Sequence, residues 1–142
     1  MLRHLKTIYG GFKMRKIEKN IIRVVEELKD SNYMAWDIFS ISVRDSIYKD
    51  RETICYKLWN NTIFEYNRKN NEYYFSFCGY STNTTKSRLN AIFSYFDLGG
   101  FYQKNYVIYW NNGSTSSEVD INKKYKIVFF AEHAVKIEAV NE

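Results

Sequence analysis

Apolar residues near the beginning of the chain recur at the spacing of an α-helix. Charged and polar residues occupy most of the positions between them. The apolar set is Ile17, Ile21, Val24, Val25 and Leu28. Such spacing gathers the apolar side chains on one helical face. The pattern therefore predicts an amphipathic helix over residues 15–29, which the polar run at 30–32 ends.

Runs rich in β-branched and aromatic residues fill the middle of the chain and predict strands. Three of these runs are separated by short polar segments and span residues 53–59, 62–66 and 72–78. Because Asn tolerates positive φ, Asn60-Asn61 is expected to form the tight turn between the first two runs. The three segments therefore predict an antiparallel meander.

A second amphipathic helix is predicted directly after the meander. Thr84 or Thr85 is its expected N-cap, because a hydroxyl can accept from the unpaired backbone N–H groups of a first helical turn. Gly99-Gly100 is expected to end the helix. The apolar stripe that should pack on the sheet consists of Leu89, Ile92, Phe93 and Phe96.

The remaining segments carry weaker patterns. Residues 101–110 alternate and predict a fourth strand, 113–118 a polar loop, and 124–130 a fifth strand. Residues 131–140 fit a strand or a short helix, and their alternation favours the strand. Residues 33–43 fit either a helix or a turn followed by a strand, and alternation favours a strand for their second half.

Together these elements predict the α+β class. The expected architecture is an antiparallel sheet of four or five strands, with the 85–96 helix packed on one face and the 15–29 helix alongside. The residues around Ile47-Tyr48 are expected to be exposed polar segments. A single α+β domain is expected over residues 15–142. Residues 1–14 are expected to form a basic N-terminal arm without a fixed structure.

Composition supports a folded, β-rich domain and locates the charge. Hydrophobic residues make up 45% of the chain and aromatic residues 18%, which is unlike a disordered chain. The net charge of +5 belongs to residues 1–29, since the rest of the chain is balanced. The basic side of the first helix is therefore a candidate contact patch for phosphate or acidic groups. A solvated helix face is the alternative for this basic patch, which comprises Arg15, Lys16, Lys19 and Arg23.

Little in the sequence resembles catalytic chemistry. The two histidines, His4 and His133, lie at opposite ends of the chain, and glycine patterns for phosphate or dinucleotide binding are absent. Cys55 and Cys78 fit no metal spacing and are expected to be free, partly buried thiols. We therefore expect no enzyme activity, no cofactor and no metal ion. No apolar run approaches the ~20 residues of a membrane span, so no membrane association is expected.

The loop and first helical turn over residues 80–88 form the candidate contact surface. A helix N-terminus presents free backbone N–H groups and a partial positive charge. Ser81, Thr82 and Thr84 add hydroxyls there. Lys86 and Arg88 add cations that oppose the helix dipole, a placement that an anionic or polar partner would explain. A capped helix with two solvated cations is the alternative.

The run over residues 78–92, with its Thr-Thr-Lys-Ser-Arg-Leu-Asn core, resembles a segment of small phage and prophage accessory proteins. Strands resembling those at 58–64 and 101–106 flank that segment, so the resemblance covers about residues 54–110. It implies a phage protein that acts in the cytoplasm of a bacterial host, and it carries over no catalytic residue. Accessory proteins of this kind include inhibitors of bacterial defence, such as anti-CRISPR proteins.

The leading hypothesis is a non-enzymatic phage-type inhibitor that binds a host defence protein or an RNA-guided nuclease complex and blocks one of its surfaces. The loop and the basic patch are the expected contacts. Reversing Lys86 and Arg88 to Glu is expected to abolish partner binding and to leave the melting temperature nearly unchanged. Sheet edges and surface aromatics would also allow a homodimer.

Two alternatives remain open at this point. A direct nucleic-acid-binding accessory protein would lose affinity steeply as salt rises. A metal-dependent nuclease would need clustered carboxylates, for which Asp45, Asp50 and Glu52 are the candidates close in sequence. The carboxylates follow no defining pattern, so the nuclease is the less favoured alternative.

Overall fold

The computed structural model describes residues 14–30, 37–131 and 134–141, so the arm expected at 1–14 lies outside it except for Met14. The described residues form two α-helices, α1 (Lys16–Asp30) and α2 (Asn83–Phe96). They also form ten strands: β1 (Asp37–Ser40), β2 (Asp45–Asp50), β3 (Thr53–Leu58), β4 (Asn61–Asn67), β5 (Glu72–Ser76), β6 (Gly100–Lys104), β7 (Val107–Asn111), β8 (Ser116–Val119), β9 (Lys124–Ala131) and β10 (Ala134–Ala139).

The strands build two antiparallel sheets. The larger sheet has seven strands in the order β1-β2-β3-β4-β5-β9-β10, and the smaller has three in the order β6-β7-β8. Strands β1 to β5 form a meander in which each strand pairs with its sequence neighbour. Helix α2 and the small sheet are inserted between β5 and β9, after which β9 returns to pair with β5.

The prediction of a four- or five-stranded sheet with one helix on its face is wrong. The protein is mostly β, with ten strands in the described residues. The alternation over 101–110 belongs to two strands, β6 and β7, which turn at Asn105-Tyr106 with φ of 52° and 67°. Phe101 pairs with Trp110, so the turn shifts the alternation by one position, and the shift falls among the polar residues 103–105, where the pattern does not reveal it. The polar loop predicted at 113–118 is in part strand β8.

Strand β2 is a second element that the sequence pattern concealed. The polar segments on either side of Ile47-Tyr48 were expected to be exposed, yet Asp45 is 1% exposed and Lys49 0%. Asp45 and Lys49 lie on the same buried side of the strand. Because charged side chains flank the one apolar residue, the buried face of β2 does not appear as an apolar run.

The other sequence predictions fare better. The helix expected at 15–29 is α1, and β3, β4, β5 and β9 lie within about two residues of their predicted bounds. Strand β10 confirms the strand interpretation of 131–140, and β1 confirms a strand in the second half of 33–43. Residues 33–36 of that segment lie outside the described residues. The turn between β3 and β4 is Trp59-Asn60 rather than the expected Asn60-Asn61, since Asn61 already pairs in β4.

The core lies between one face of the seven-stranded sheet and a layer made of both helices and the small sheet. The predicted stripe of α2 packs there, with Leu89, Ile92 and Phe93 fully buried. Phe93 of α2 and Phe101 of β6 meet Phe75 of β5 with ring centroids 5.4 and 5.0 Å apart. Large rings therefore join the large sheet, α2 and the small sheet, and their burial supplies much of the apolar area removed from water.

The N-terminus of α2 differs from the sequence expectation. Thr82, not Thr84 or Thr85, is the N-cap, and its hydroxyl oxygen accepts from the Thr85 backbone N–H at 3.2 Å. The two hydroxyls, 3.1 Å apart, also share a hydrogen bond, and Thr85 is buried. The helix therefore starts two residues earlier than expected and places Thr84 in its first turn.

The C-terminus of α2 also stops for a different reason. Asp97 adopts a left-handed conformation with φ of 59°, and the Leu98 N–H donates to the Phe93 carbonyl at 2.8 Å. This arrangement is a Schellman-type end, which satisfies the last helical carbonyls. The helix has therefore ended before it reaches Gly99-Gly100.

Candidate functional site

A buried ion pair joins α2 to the seven-stranded sheet. The Arg88 Nε donates to Asp45 Oδ1 at 2.7 Å, and Arg88 Nη2 lies 3.4 Å from Oδ2. The carboxylate also accepts from the Tyr56 hydroxyl at 2.6 Å and from the Ser42 hydroxyl at 2.5 Å. Arg88 is 2% exposed and Asp45 1%. Each carboxylate oxygen therefore has interior partners, which is the condition for burying a charged pair.

The surroundings fix the ionisation state of this cluster. Burial would by itself raise the pKa of Asp45, but the hydrogen bonds from Arg88, Ser42 and Tyr56 outweigh burial and lower it. Burial would lower the pKa of Arg88, and the bond to Asp45 raises it instead. The pKa of Tyr56 is raised by burial and by the bond it donates to Asp45. The cluster is thus a carboxylate, a guanidinium and a neutral phenol.

A second polar cluster joins α1 to α2. Glu18 is 4% exposed and accepts from the Ser87 hydroxyl at 2.6 Å and from the Arg15 backbone N–H at 2.8 Å. The Arg15 guanidinium contacts the Ser87 hydroxyl and lies 3.4 Å from the Glu18 carboxylate. Arg88 Nη1 is 3.3 Å from the same hydroxyl. Ser87 therefore links the two polar clusters.

These contacts separate the two cations that the sequence placed together. The Arg88 guanidinium points into the interior, where it holds the fold together and does not face solvent. Lys86 is half-buried, and its Nζ donates to Gln103 Oε1 of β6 at 2.8 Å. The structure changes the expectation for the double charge reversal: it should lower the melting temperature, because Arg88→Glu would place a second carboxylate against Asp45 in the core.

An open recess of about 380 Å³ lies between the β3–β4 turn and the N-terminus of α2. We call this recess the Trp59 pocket. None of the ten described residues that line it is charged, and they include Leu58, Trp59, Ile63, Tyr80, Thr82 and Thr84. Thr82 and Thr84 are predicted contact residues, and Ser81 is exposed in the same loop. The loop over 80–88 thus contributes hydroxyls to the pocket but no cation.

Two exposed aromatic side chains form the rim of the Trp59 pocket. Trp59 is 63% exposed and Tyr80 is 56% exposed. Trp59 has a φ of 51°, in the left-handed region that bulky residues rarely adopt, and Asn60 follows at 67°. A two-residue hairpin turn of the I′ type requires positive φ at both central residues, so this conformation belongs to the turn. The turn therefore holds a large aromatic ring in solvent beside a hydroxyl-lined recess.

Sequence reasoning did not select Trp59 or Tyr80. Tyr80 was placed in the contact loop but was not named as a contact, and Trp59 was assigned to the end of a strand. Had the turn been predicted at Trp59-Asn60, one residue earlier, Trp59 would have been expected at the tip of the hairpin, outside the sheet. An aromatic residue directly before Asn in a two-residue turn was the available clue.

Three residues of the predicted basic patch share one groove beside α1. Lys16, Lys19 and Arg23 line a space of about 590 Å³, together with Ile17, Asn20 and Ile41. All three cations are exposed. Arg15, the fourth member of the patch, lies instead against Ser87 and Glu18. The structure therefore divides the patch between two sides of α1.

The thiols are as predicted, free and partly buried. Burial, with the nearby Glu65 carboxylate, raises the pKa of Cys55 to about 11. The Cys78 thiol donates to the Thr62 carbonyl at 3.2 Å and lines the Trp59 pocket. Within residues 14–30, 37–131 and 134–141, no three His, Cys, Asp or Glu side chains are arranged to hold a metal ion. Of the two described helices, neither is long and apolar enough to cross a membrane.

The fold and the pocket define a mostly antiparallel β-protein with two helices on one sheet face and an open recess rimmed by aromatic side chains. The chain belongs to the Kyanoviridae Gp96 protein family, whose model matches residues 14–134. It is therefore a phage protein, as the resemblance implied. Comparison with curated proteins and with solved structures gives no match.

Proposed function

We propose that this phage protein is a non-enzymatic inhibitor that binds a host protein through the Trp59 pocket. Its target would be a defence complex of the bacterial cytoplasm, such as an RNA-guided nuclease. The observation that carries the proposal is the exposed Trp59, held at a φ of 51° on the rim of an uncharged recess.

The composition of the pocket favours a protein partner. Trp and Tyr dominate the residues whose loss most weakens protein interfaces, because they bury large areas and keep a polar group for hydrogen bonding. Trp59 and Tyr80 supply such rings, and Leu58 and Ile63 supply an apolar floor. The Thr84 hydroxyl adds a polar contact that would orient an inserted side chain. An apolar side chain of the partner would fill this recess without leaving a charge unpaired.

The two alternatives receive less support from the geometry. A phosphate backbone would need cations, and the Trp59 pocket has none among its lining residues. A metal-dependent nuclease would need free carboxylates, but Asp45 is enclosed and bonded to Arg88, Tyr56 and Ser42. Asp45 therefore cannot join Asp50 and Glu52, at the β2–β3 turn, in a metal-binding cluster of carboxylates.

The test is phage plaque formation on a bacterial host that carries an RNA-guided defence system and expresses the protein. The wild-type protein should restore plaques, and Trp59→Ala should reduce that restoration at least tenfold, as expected for a hot-spot residue worth about 2 kcal/mol. Tyr106→Ala is the matched control, since Tyr106 is 94% exposed and also has a positive φ in a two-residue turn. Equal activity of Trp59→Ala and wild type would contradict the role of the pocket. No restoration by the wild-type protein against any defence system tested would contradict the inhibitor function.

A further inference from the structure

The groove beside α1 combines a positive rim with an apolar floor. Lys16, Lys19 and Arg23 recur at the spacing of one helical face, so they project along the same side of α1. Ile17 and Ile41 are partly buried and pack against the core beneath them. The space these residues enclose, about 590 Å³, is large enough for a segment of another chain.

The positive charge of this groove is not neutralised from within it. None of the six described residues that line it is acidic. Glu18 points to the other side of α1, where it bonds to Arg15 and Ser87. In the described residues, neither Lys16 nor Lys19 has a carboxylate within ion-pair distance.

Arg23 is the one cation in the groove that is held in place. Its guanidinium donates to Asn20 Oδ1 at 2.7 Å and to Glu27 Oε1 at 3.0 Å. The Glu27 pair is exposed on both sides, so water screens it strongly. Because this pair is strongly screened, Arg23 can still attract a second carboxylate.

From this charge complementarity we infer that the groove binds an acidic polypeptide segment that also carries an apolar side chain. Carboxylates of the segment would lie opposite Lys16, Lys19 and Arg23, while its apolar side chain covers Ile17 and Ile41. A nucleic-acid backbone would use only the cations and would leave the isoleucine floor uncovered. This inference rests on the proposed function in one respect, that the partner is a protein, and assigns it a second contact away from the Trp59 pocket.

The binding test uses three labelled probes on the purified full chain at low salt, read by fluorescence anisotropy. The first is a short peptide of Glu and Leu, the second a peptide of Glu and Ser with the same charge, and the third a single-stranded DNA of the same charge. The Glu-Leu peptide should bind the most tightly. Its affinity should fall roughly tenfold in the variant Lys16→Glu plus Lys19→Glu, because two attractions become repulsions. Added salt should weaken it as well.

The matched control is Lys104→Glu plus Lys123→Glu, which changes the net charge equally at two exposed lysines outside the groove. The control should bind the Glu-Leu peptide like the wild type. Equal weakening by both double variants would overturn the inference, because net charge alone would then explain the binding. Equal or tighter binding of the Glu-Ser peptide or of the DNA, or no binding of the Glu-Leu peptide, would also overturn it.

One further variant distinguishes this inference from the proposed function. Trp59→Ala leaves the groove intact, so it should bind the Glu-Leu peptide normally even when it no longer restores plaques. Loss of peptide binding in Trp59→Ala would show that the peptide occupies the Trp59 pocket and would overturn the assignment to the groove.

Discussion

The Arg88 Nε lies 2.7 Å from Asp45 Oδ1, and this bond joins α2 to the start of strand β2, 43 residues earlier in the chain. Both side chains are almost fully buried. The apolar packing of α2 on the sheet is non-directional, so a directional bond at this point helps to fix where the helix lies. Arg88 therefore belongs to the chain's folding rather than to its contact surface.

We predict that Arg88→Ala destabilises the protein by about 3–5 kcal/mol, since it leaves the Asp45 carboxylate buried without its cation. Urea unfolding followed by circular dichroism would measure the change in the free energy of unfolding. Arg44→Ala is the matched control, because Arg44 is 42% exposed and lies 3.8 Å from the same carboxylate. The control should cost less than about 1 kcal/mol. Similar losses of unfolding free energy in the two variants would show that the buried bond stabilises the fold no more than the exposed one.

The same carboxylate predicts how stability depends on pH. The folded protein lowers the pKa of Asp45, so its contribution is complete above the unfolded value of about 4 and is lost as pH falls through the lower folded value. We expect Asp45→Asn to be less stable than wild type at pH 7, and the difference to shrink below about pH 4. Urea unfolding of both proteins between pH 7 and pH 2 would measure it. A difference that stays constant across this range would contradict the prediction.

The fold was predictable where one residue pattern maps onto one element. The stripe of α2 and the aromatic runs of β3 to β5 show this, because burial on one face imposes a period on the sequence. Strand β2 was not predictable, because its buried face includes Asp45 and Lys49, whose burial depends on partners that only the folded chain brings near. The turn at Asn105-Tyr106 was also hidden, since the shift in alternation that it causes falls among the polar residues 103–105.

The candidate site was predictable only in part, for a related reason. A hydroxyl-rich loop before a helix is recognisable, so Thr82 and Thr84 were selected as contact residues, but the cap was expected at Thr84 or Thr85 and lies at Thr82. Whether a cation faces solvent or a buried carboxylate depends on long-range contacts, so Arg88 was assigned to the surface. Trp59 and Tyr80 line one pocket only after the β3–β4 turn and the loop before α2 come together in the fold. Neither segment alone predicts that the other lies beside it.

Capping of α2 distinguishes Thr82, the observed N-cap, from Thr84, one of the two N-caps expected from the sequence. Thr82→Ala should cost about 1 kcal/mol, because the Thr85 backbone N–H loses its acceptor. Thr84→Ala should stay within about 0.5 kcal/mol, since Thr84 is only half-buried and lies inside the helix. Thermal unfolding of both variants would compare them. A larger loss in Thr84→Ala would return the cap to the position first expected from the sequence.

Gly99 tests how tightly the small sheet packs behind α2. It has a φ of 91°, and an added Cβ would collide with the Asn111 carbonyl oxygen and lie 3.0 Å from the Trp110 indole nitrogen. Gly113 has a similar φ of 98° but open space around it. Gly113→Ala should therefore cost only the backbone strain, about 1–2 kcal/mol, and Gly99→Ala clearly more. Urea unfolding would measure both. Because the two glycines share a conformation, equal losses would mean that the carbonyl of Asn111 moves aside freely and that the junction between α2 and the small sheet is loosely packed.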